Sequence, residues 1–311
     1  MEKICSKGSN CLVVDSGDLF FQKKVDADLK KNQAKAQVLA RAYKKMGVAA
    51  VNVGDLDLLL GVEFLKGLEG EGLPLISANL AEASTGKLLF PAQRVIHRGS
   101  LKIAMVGLMG PELDPQVRQA VGENVSVLDP WNAARKTVEG LKGKVDLVVV
   151  LSDMGMARDQ RLATEIPGIQ LILGGHDGRF LSSPHREGST WIFQSYQKGM
   201  YLGRLTLQWQ DPSGPIRDEA RTSRLQHELV RLEGRIKAHE KAKLDSRSPS
   251  VDRSLKQLME QRSKVEQELL EAQKESGRGN RFSWRLEPLE PSLPENKEVS
   301  GWIQEAQIHS D

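Results

Sequence analysis

The stretch VDLVVVLSDMGMARDQRLATEIPGIQLILGGHDG, residues 145–178, leaves this chain few choices of fold. Residues 145–151 form an apolar run, interrupted only by Asp146 and rich in β-branched side chains. It is too short for a core helix and reads as a buried parallel strand. Ser152-Asp153-Met154-Gly155 follows at its carboxyl end. Leu162, Ala163 and Ile166 then fall at helical spacing, and Pro167-Gly168 ends the pattern, so 157–166 reads as a helix. Residues 169–173 are a second apolar strand, closed by Gly174-Gly175-His176-Asp177-Gly178. Two neighbouring parallel strands therefore deliver Asp153 and His176 to one sheet edge, where open α/β sheets take their ligands.

The alternation extends through the rest of the first two-thirds. Residues 10–14 read as a short strand ending in Asp15-Ser16-Gly17-Asp18. An Asp after Gly at a strand end suits a hard cation, and it equally suits a turn or helix cap. A helix over 26–46 stops at Gly47, and a strand over 49–53 leads into Gly54-Asp55-Leu56-Asp57. Asp55 and Asp57 are candidate caps for a helix over 58–68. Further strands are expected over 73–78, on both sides of an Arg98-Gly99 turn within 87–106, and within 193–208. A helix is expected over 130–141. Strands alternating with helices predict an α/β fold with mostly parallel pairing.

These residues carry a resemblance. The stretch 145–178 resembles the 5′-nucleotidase branch of the calcineurin-like metallophosphoesterases, whose pattern is a strand ending in SHxG, a helix, then PGIDLIIGGHxH. CLVVDSGDLF, VAAVNVGDLDLLLGVEFL, LPLISANL, KIAMVGLMGP and YQKGMYLGRLTL are similar to other blocks of that family, in the same order over about 12–210. The resemblance implies a two-sheet metallophosphoesterase sandwich (α-β-β-α), a divalent cation, and a small phosphorylated substrate. Asp18 and His176 match the family's metal positions directly. Asp55 stands where the family has Asn, Asp153 where it has a ligand His, Leu56 at the catalytic His, and Gly178 at the last His of GGHxH. The family's opening Asp-x-His block should lie some tens of residues before Asp18, and only 17 residues precede it. The expectation is that the chain starts late or that the block is absent.

On this resemblance the metal candidates are Asp18, Asp55, Asp153 and His176. An oxygen-rich set with one imidazole suits Mg²⁺, Mn²⁺ or Ca²⁺ better than zinc, and a dinuclear site is not expected. His185 is the other histidine expected to reach the site. Leucine at 56 can neither donate a hydrogen bond nor carry a proton. The reading is a metal-dependent phosphate monoester (nucleotide) hydrolase whose metal site is degenerate and truncated, and so weak or inactive. The alternative is a binding or scaffold protein without catalysis.

At Asp211 the character changes. Leu225, Leu229, Leu232 and Ile236, then Val251, Leu255, Leu258, Arg262, Val265, Leu269 and Ala272, fall at steps of three and four among charged residues. That spacing predicts an antiparallel coiled-coil hairpin over 211–279, either a solvated spacer or a surface for a partner or for self-association. It would be inserted into a domain formed by 1–210 and 280–311, with 281–286 as an edge strand. With 44 basic and 41 acidic residues, and aromatics at 5%, no basic, aromatic-lined surface for nucleic acid is evident. No apolar run reaches membrane-spanning length. The first ten residues lack the apolar middle of a signal peptide, although the family resemblance implies export. Cys5 and Cys11 match no standard zinc spacing and read as free thiols, with redox or metal pairing as the alternative.

Overall fold

The computed structural model describes residue 5 and residues 10–21, 28–211, 213–245, 249–274 and 279–306. The first sheet is all parallel, in the order β1 (Val14–Asp15), β2 (Ala50–Asn52) and β3 (Leu75–Ile76). Helix α1 (Leu29–Met46) connects β1 to β2, and α2 (Val62–Gly70) connects β2 to β3. Asp28 caps α1 by accepting from the Lys30 and Lys31 amides, and Gly47 ends it with φ +67°. Residues 56–68, expected as a helix from Leu58, divide into a 3₁₀ turn (Leu56–Leu60) and α2, with Gly61 at φ +82° between them.

The chain continues through β4 (Leu80–Glu82), β5 (Gln93–Arg98), β6 (Leu101–Met109), α3 (Pro115–Val121), β7 (Val125–Val127) and α4 (Pro130–Leu141). The central unit follows as β8 (Leu147–Asp153), α5 (Met156–Glu165) and β9 (Leu171–Gly174), then β10 (His185–Glu187) and β11 (Thr190–Gln194). The second sheet has the order β10-β11-β9-β8-β6-β5. Its middle strands β11, β9, β8 and β6 are parallel, and the two edges are antiparallel. A crossover helix after an apolar strand returns the chain beside that strand, which is why β8 and β9 pair directly. Strands β4 and β7 form a separate two-stranded sheet.

Helices cover the outer faces. Ala36, Ala40, Leu65 and Leu68 pack with Val51, Val53 and Leu75 of the first sheet. Ala134, Val138, Leu162 and Ala163 pack with Val106, Leu108, Val150 and Ile172 of the second. Between the sheets the approach is closest at Gly107, where an added Cβ would lie 2.5 Å from Asn52 Oδ1 and 2.7 Å from the Ile76 carbonyl oxygen. Buried Asn52 joins the layers by donating Nδ2 to the carbonyl oxygens of Ser16 (2.9 Å) and Leu108 (2.8 Å). The architecture is a mixed α/β fold whose two main sheets are layered between helices.

The chain divides into two units, Met1–Arg204 with Arg285–Asp311, and Leu205–Trp284. The second unit reaches several residues beyond 211–279 on each side because flanking strands belong to it. They come from a sheet of β12 (Tyr201–Gln208), β13 (Ile216–Asp218) and, after helices α6 (Arg221–Asp245) and α7 (Pro249–Lys274), β14 (Asn280–Pro288). Strand β14 lies between β12 and β13, so it is central and not the edge strand expected over 281–286. Buried Asn280 explains the placement, since Oδ1 accepts from the Gln210 and Asp211 amides and Nδ2 donates to Gly214 O. Leu225, Leu232 and Ile236 of α6 bury against Leu255, Leu258, Val265 and Ala272 of α7. Arg262 stays half-buried and pairs with Glu266. In the first unit, α8 (Lys297–Glu305) packs on α1, with Arg41 stacked 3.9 Å over the Trp302 ring.

Cys5 and Cys11 are joined by a disulfide, which corrects the reading as free thiols. Their Cα atoms stand 5.6 Å apart, a spacing that a bridge spans. No helix among the described residues is long and apolar enough to cross a membrane.

Candidate metal centre

Four strand ends from the two sheets converge on one pocket. The loop after β1 brings Asp18, the loop after β2 brings Asp55, β8 ends at Asp153, and the turn after β9 carries His176. One ligand atom from each of these four residues lies within 4.8 Å of all the others. Asp55 and Asp153 are buried, Asp18 is half-buried, and the His176 side chain is 43% exposed at the mouth. The four residues singled out in the sequence are therefore brought together. Leu56 and Gly178 contribute no ligand atom.

Backbone amides hold the carboxylates in place. Leu56 N donates to Asp18 Oδ1 at 3.0 Å, and Asp55 N to Asp153 Oδ2 at 3.4 Å. Asp114 N donates to Asp55 Oδ2 at 3.2 Å. Asp57, which the sequence offers only as a cap, is the fastener between loops. Its Oδ2 accepts from Asp18 N (3.0 Å) and Gly54 N (2.9 Å), and its Oδ1 from Phe20 N (3.1 Å). Nor does the Asp55 side chain cap the 3₁₀ turn; it faces the pocket group instead. Asp15 turns back to accept from Gly17 N, while Tyr43 Oη of α1 donates to it at 2.7 Å. The sequence carries no signal for these roles of Asp57 and Asp15, whose partners are set by tertiary structure.

Two candidate ligands sit in left-handed backbone, Asp18 at φ +56° and His176 at φ +70°. Non-glycine residues there are uncommon and cluster at functional sites. At Gly54 a side chain is excluded, since a Cβ would come 2.3 Å from Asp18 Oδ1 and 2.9 Å from Asp153 Oδ2. The glycine thus lets three acidic loops close on one another. Gly178 (φ +57°) faces Gln197, whose Cβ and Oε1 would lie 3.1 Å from an added Cβ. His185, expected near the pocket, is instead engaged by Gln160 Nε2 (3.0 Å) and Glu187 Oε2 (3.2 Å), outside the four-residue group.

The electrostatics follow from crowding acids into a protein interior. Burial, then the charges of Asp153, Asp57 and Asp55, push Asp18 up to about 10, against the Leu56 amide. Burial pushes Asp57 up to about 7, opposed by the Gly54 and Phe20 amides. Asp55 is raised by burial and then by Asp153. His176 is raised chiefly by Asp153, whose Oδ1 stands 3.6 Å from His176 Nδ1. Every shift has the sense of a pocket short of positive charge. Asp55 Oδ1 and Asp153 Oδ1 are buried without a hydrogen-bond partner. Unpartnered carboxylate oxygens beside an imidazole, with ligand atoms this close, fit a hard divalent cation.

No family model matches the chain. Among curated proteins it is 25% identical over 203 residues to a 5′-nucleotidase of Vibrio cholerae, covering 55% of this chain and 37% of the relative. It is 26% identical over 199 residues to a 2′,3′-cyclic-nucleotide 2′-phosphodiesterase/3′-nucleotidase of Yersinia enterocolitica, covering 57% and 30%. Against these two relatives the chain spans well under half their length. Among solved structures it superposes on the Thermus thermophilus sulfate thiohydrolase SoxB with a TM-score of 0.65 at 21% identity, covering 95% of this chain and 42% of that one. A 5′-nucleotidase precursor, also of Thermus thermophilus, gives 0.57 at 26% identity, with 69% and 45% covered. The calcineurin-like phosphoesterase YfkN of Bacillus subtilis gives 0.61 at 15% identity, with 95% and 82% covered.

Proposed function

The chain is a member of the 5′-nucleotidase branch of the metallophosphoesterases, and from that premise we propose that its pocket holds one divalent cation and receives a phosphate monoester, with weak hydrolysis. The observation that carries this reading is the four-residue ligand group, in which buried Asp55 Oδ1 has no hydrogen-bond partner and buried Asp153 Oδ1 meets only the His176 imidazole at 3.6 Å. Asp18, Asp55, Asp153 and His176 would hold the ion, and Mg²⁺, Mn²⁺ or Ca²⁺ suits their oxygen-rich character. A bound cation would neutralise the carboxylates and polarise a phosphoryl oxygen.

The chain's own groups explain why turnover should be slow. Hydrolysis breaks the ester P–O bond, and the departing oxygen needs a proton or a hydrogen bond. At the position where the family resemblance puts that donor, Leu56 offers only its backbone amide, and the amide is spent on Asp18. His176 is the imidazole at the mouth and keeps its proton to higher pH than usual because of Asp153. Loss of a single electrostatic catalytic group commonly costs about 10²–10³ in rate.

The test is calorimetric titration with Mn²⁺ beside an assay on p-nitrophenyl phosphate and a nucleoside monophosphate. One Mn²⁺ per chain is expected, lost in Asp153→Ala, with turnover barely above background. Absence of Mn²⁺ binding would overturn the cation. Rapid hydrolysis abolished by chelator and by Asp153→Ala would instead make these residues a fully working site.

A further inference from the structure

The carboxyl edge of the second sheet carries a cationic group that the four-residue pocket does not use. Arg158 stands in the first turn of α5, directly after Asp153 and Met154. Its guanidinium folds back over the ends of β8 and β6. Nη1 lies 3.5 Å from the Met154 carbonyl oxygen and 3.4 Å from where a Gly110 Cβ would be. Gly110 is itself tied to the pocket strand, its amide donating to the Asp153 carbonyl oxygen at 3.1 Å. The bare glycine thus makes a seat for the guanidinium beside the backbone carbonyl oxygen of Asp153, at the strand end that carries this candidate ligand.

The partner holding Arg158 is a weak one. Nη2 meets Glu112 Oε2 at 2.6 Å, but the Glu112 side chain is 69% exposed and that of Arg158 35%. Ion pairs this open to water contribute little, because solvent screens them. Arg179, on the same edge, shows the contrasting case. Its partner Asp177 is more buried and is itself anchored, the carboxylate also accepting from Met156 N at the start of α5.

We propose that Arg158 is the residue that grips the incoming anion, exchanging Glu112 for the non-bridging oxygens of a phosphate monoester. A planar guanidinium suits such oxygens because it donates two parallel hydrogen bonds to them. Three carboxylates converge in the pocket, so an anion approaching it needs a fixed positive charge at the rim. Glu112 then acts as the placeholder that keeps Arg158 pointed at the mouth while the site is free of substrate. This assignment rests on the reading of the pocket as a phosphate ester site, and it names the recognition group of that site.

The experiment is calorimetric titration of inorganic phosphate into the full chain equilibrated with Mn²⁺, for wild type, Arg158→Ala, Arg158→Lys and Glu112→Gln. Mn²⁺ affinity is measured separately for each. Arg158→Ala should weaken phosphate binding by about ten- to a hundredfold, the worth of a charge-assisted hydrogen-bonded contact. Its Mn²⁺ affinity should stay within about twofold, well under one such contact. Arg158→Lys should recover part of the loss and guards against a folding defect. Glu112→Gln should tighten phosphate modestly by removing the competitor. Phosphate affinity unchanged in Arg158→Ala, or no phosphate binding by wild type, would reduce Arg158–Glu112 to a surface ion pair. If wild type binds no Mn²⁺, the cation reading falls by itself. Phosphate titration of wild type against Arg158→Ala without metal then still decides the role of Arg158 by the same criteria.

Discussion

Helices α6 and α7 bury leucines, isoleucine and valine against one another, whereas the loops after β1, β2, β8 and β9 bury carboxylates against one another. In the helix pair each buried side chain is favourable where it lies, because apolar surface leaves water. In the pocket each buried Asp is unfavourable alone, and it persists because backbone amides and the surrounding core fix it there. The helix pair can therefore relax around a change. The pocket cannot, since its loops meet at single atoms with no slack. Local strain and unpartnered oxygens mark a region shaped by something other than its own stability.

The sharpest way to break this contrast is Gly54→Ala. An added Cβ would stand 2.3 Å from Asp18 Oδ1 and 2.4 Å from Asp18 N, so loop backbone must move. Overpacking of this kind typically costs about 1–3 kcal/mol and occasionally more, and the four ligand atoms would no longer converge. The expected outcome is a large drop in chemical-denaturation midpoint together with loss of Mn²⁺ binding. A variant as stable as wild type, with Mn²⁺ binding intact, would show that the loops are as forgiving as the helices.

A smaller effect separates the regions by pH. Burial pushes Asp159 up to about 7, opposed by the hydrogen bond from Ser152 Oγ. The folded state thus holds this proton more tightly than the unfolded chain does. Its contribution to stability is fully present below about pH 4 and is lost as pH rises through about 7. The Asp159→Asn variant removes that dependence, so its stability should fall less steeply across this window. The difference in slope is at most about 1.4 kcal/mol per pH unit. Thermal melts of both proteins across the window check it, and parallel curves would sink the assignment. The buried cluster of the α6–α7 seam is aliphatic among the described residues and offers no counterpart.

The two regions also differed in how far the sequence could disclose them. The helix pair was legible from Leu225, Leu232, Leu258 and Val265 because three-and-four spacing is a local property of a helix. Helix α4 over 130–141 and strand β8 near 145–151 were legible too, the strand from its apolar, β-branched run, while the Asp129 cap of α4 was added by the structure. Asp18, Asp55, Asp153 and His176 could be named because the family resemblance aligned them, and the structure brings them within reach of one another. Asp57 and Asp15 were not legible as fasteners, because Asp57 serves an amide 39 positions away and Asp15 a tyrosine 28 positions away. Strand β14 was misjudged as an edge because a strand's neighbours are chosen by the sheet, not by its own residues. The short strands β4, β7 and β13 carry too few residues to show a period.

The smallest predicted effect runs in the opposite direction and comes from the same substitution at another glycine. Gly234 lies in the middle of α6, exposed, with nothing within 4 Å of an added Cβ. Its backbone is helical, so alanine meets no conformational penalty there. A helical glycine loses more freedom on folding than alanine does, at a cost of about 0.5–1 kcal/mol. The Gly234→Ala variant should therefore raise the stability of the helix pair by roughly that amount. It should leave Mn²⁺ affinity and any phosphatase activity unchanged, because none of the four ligand residues lies in α6. Denaturant unfolding followed by helical circular dichroism reads the gain. A loss of stability would mean that the exposed face at Gly234 is packed against something, a second copy of the chain included. Concentration dependence of the melt would then identify self-association through α6 and α7, and the contrast between a tolerant helix pair and an unforgiving pocket would have to be redrawn.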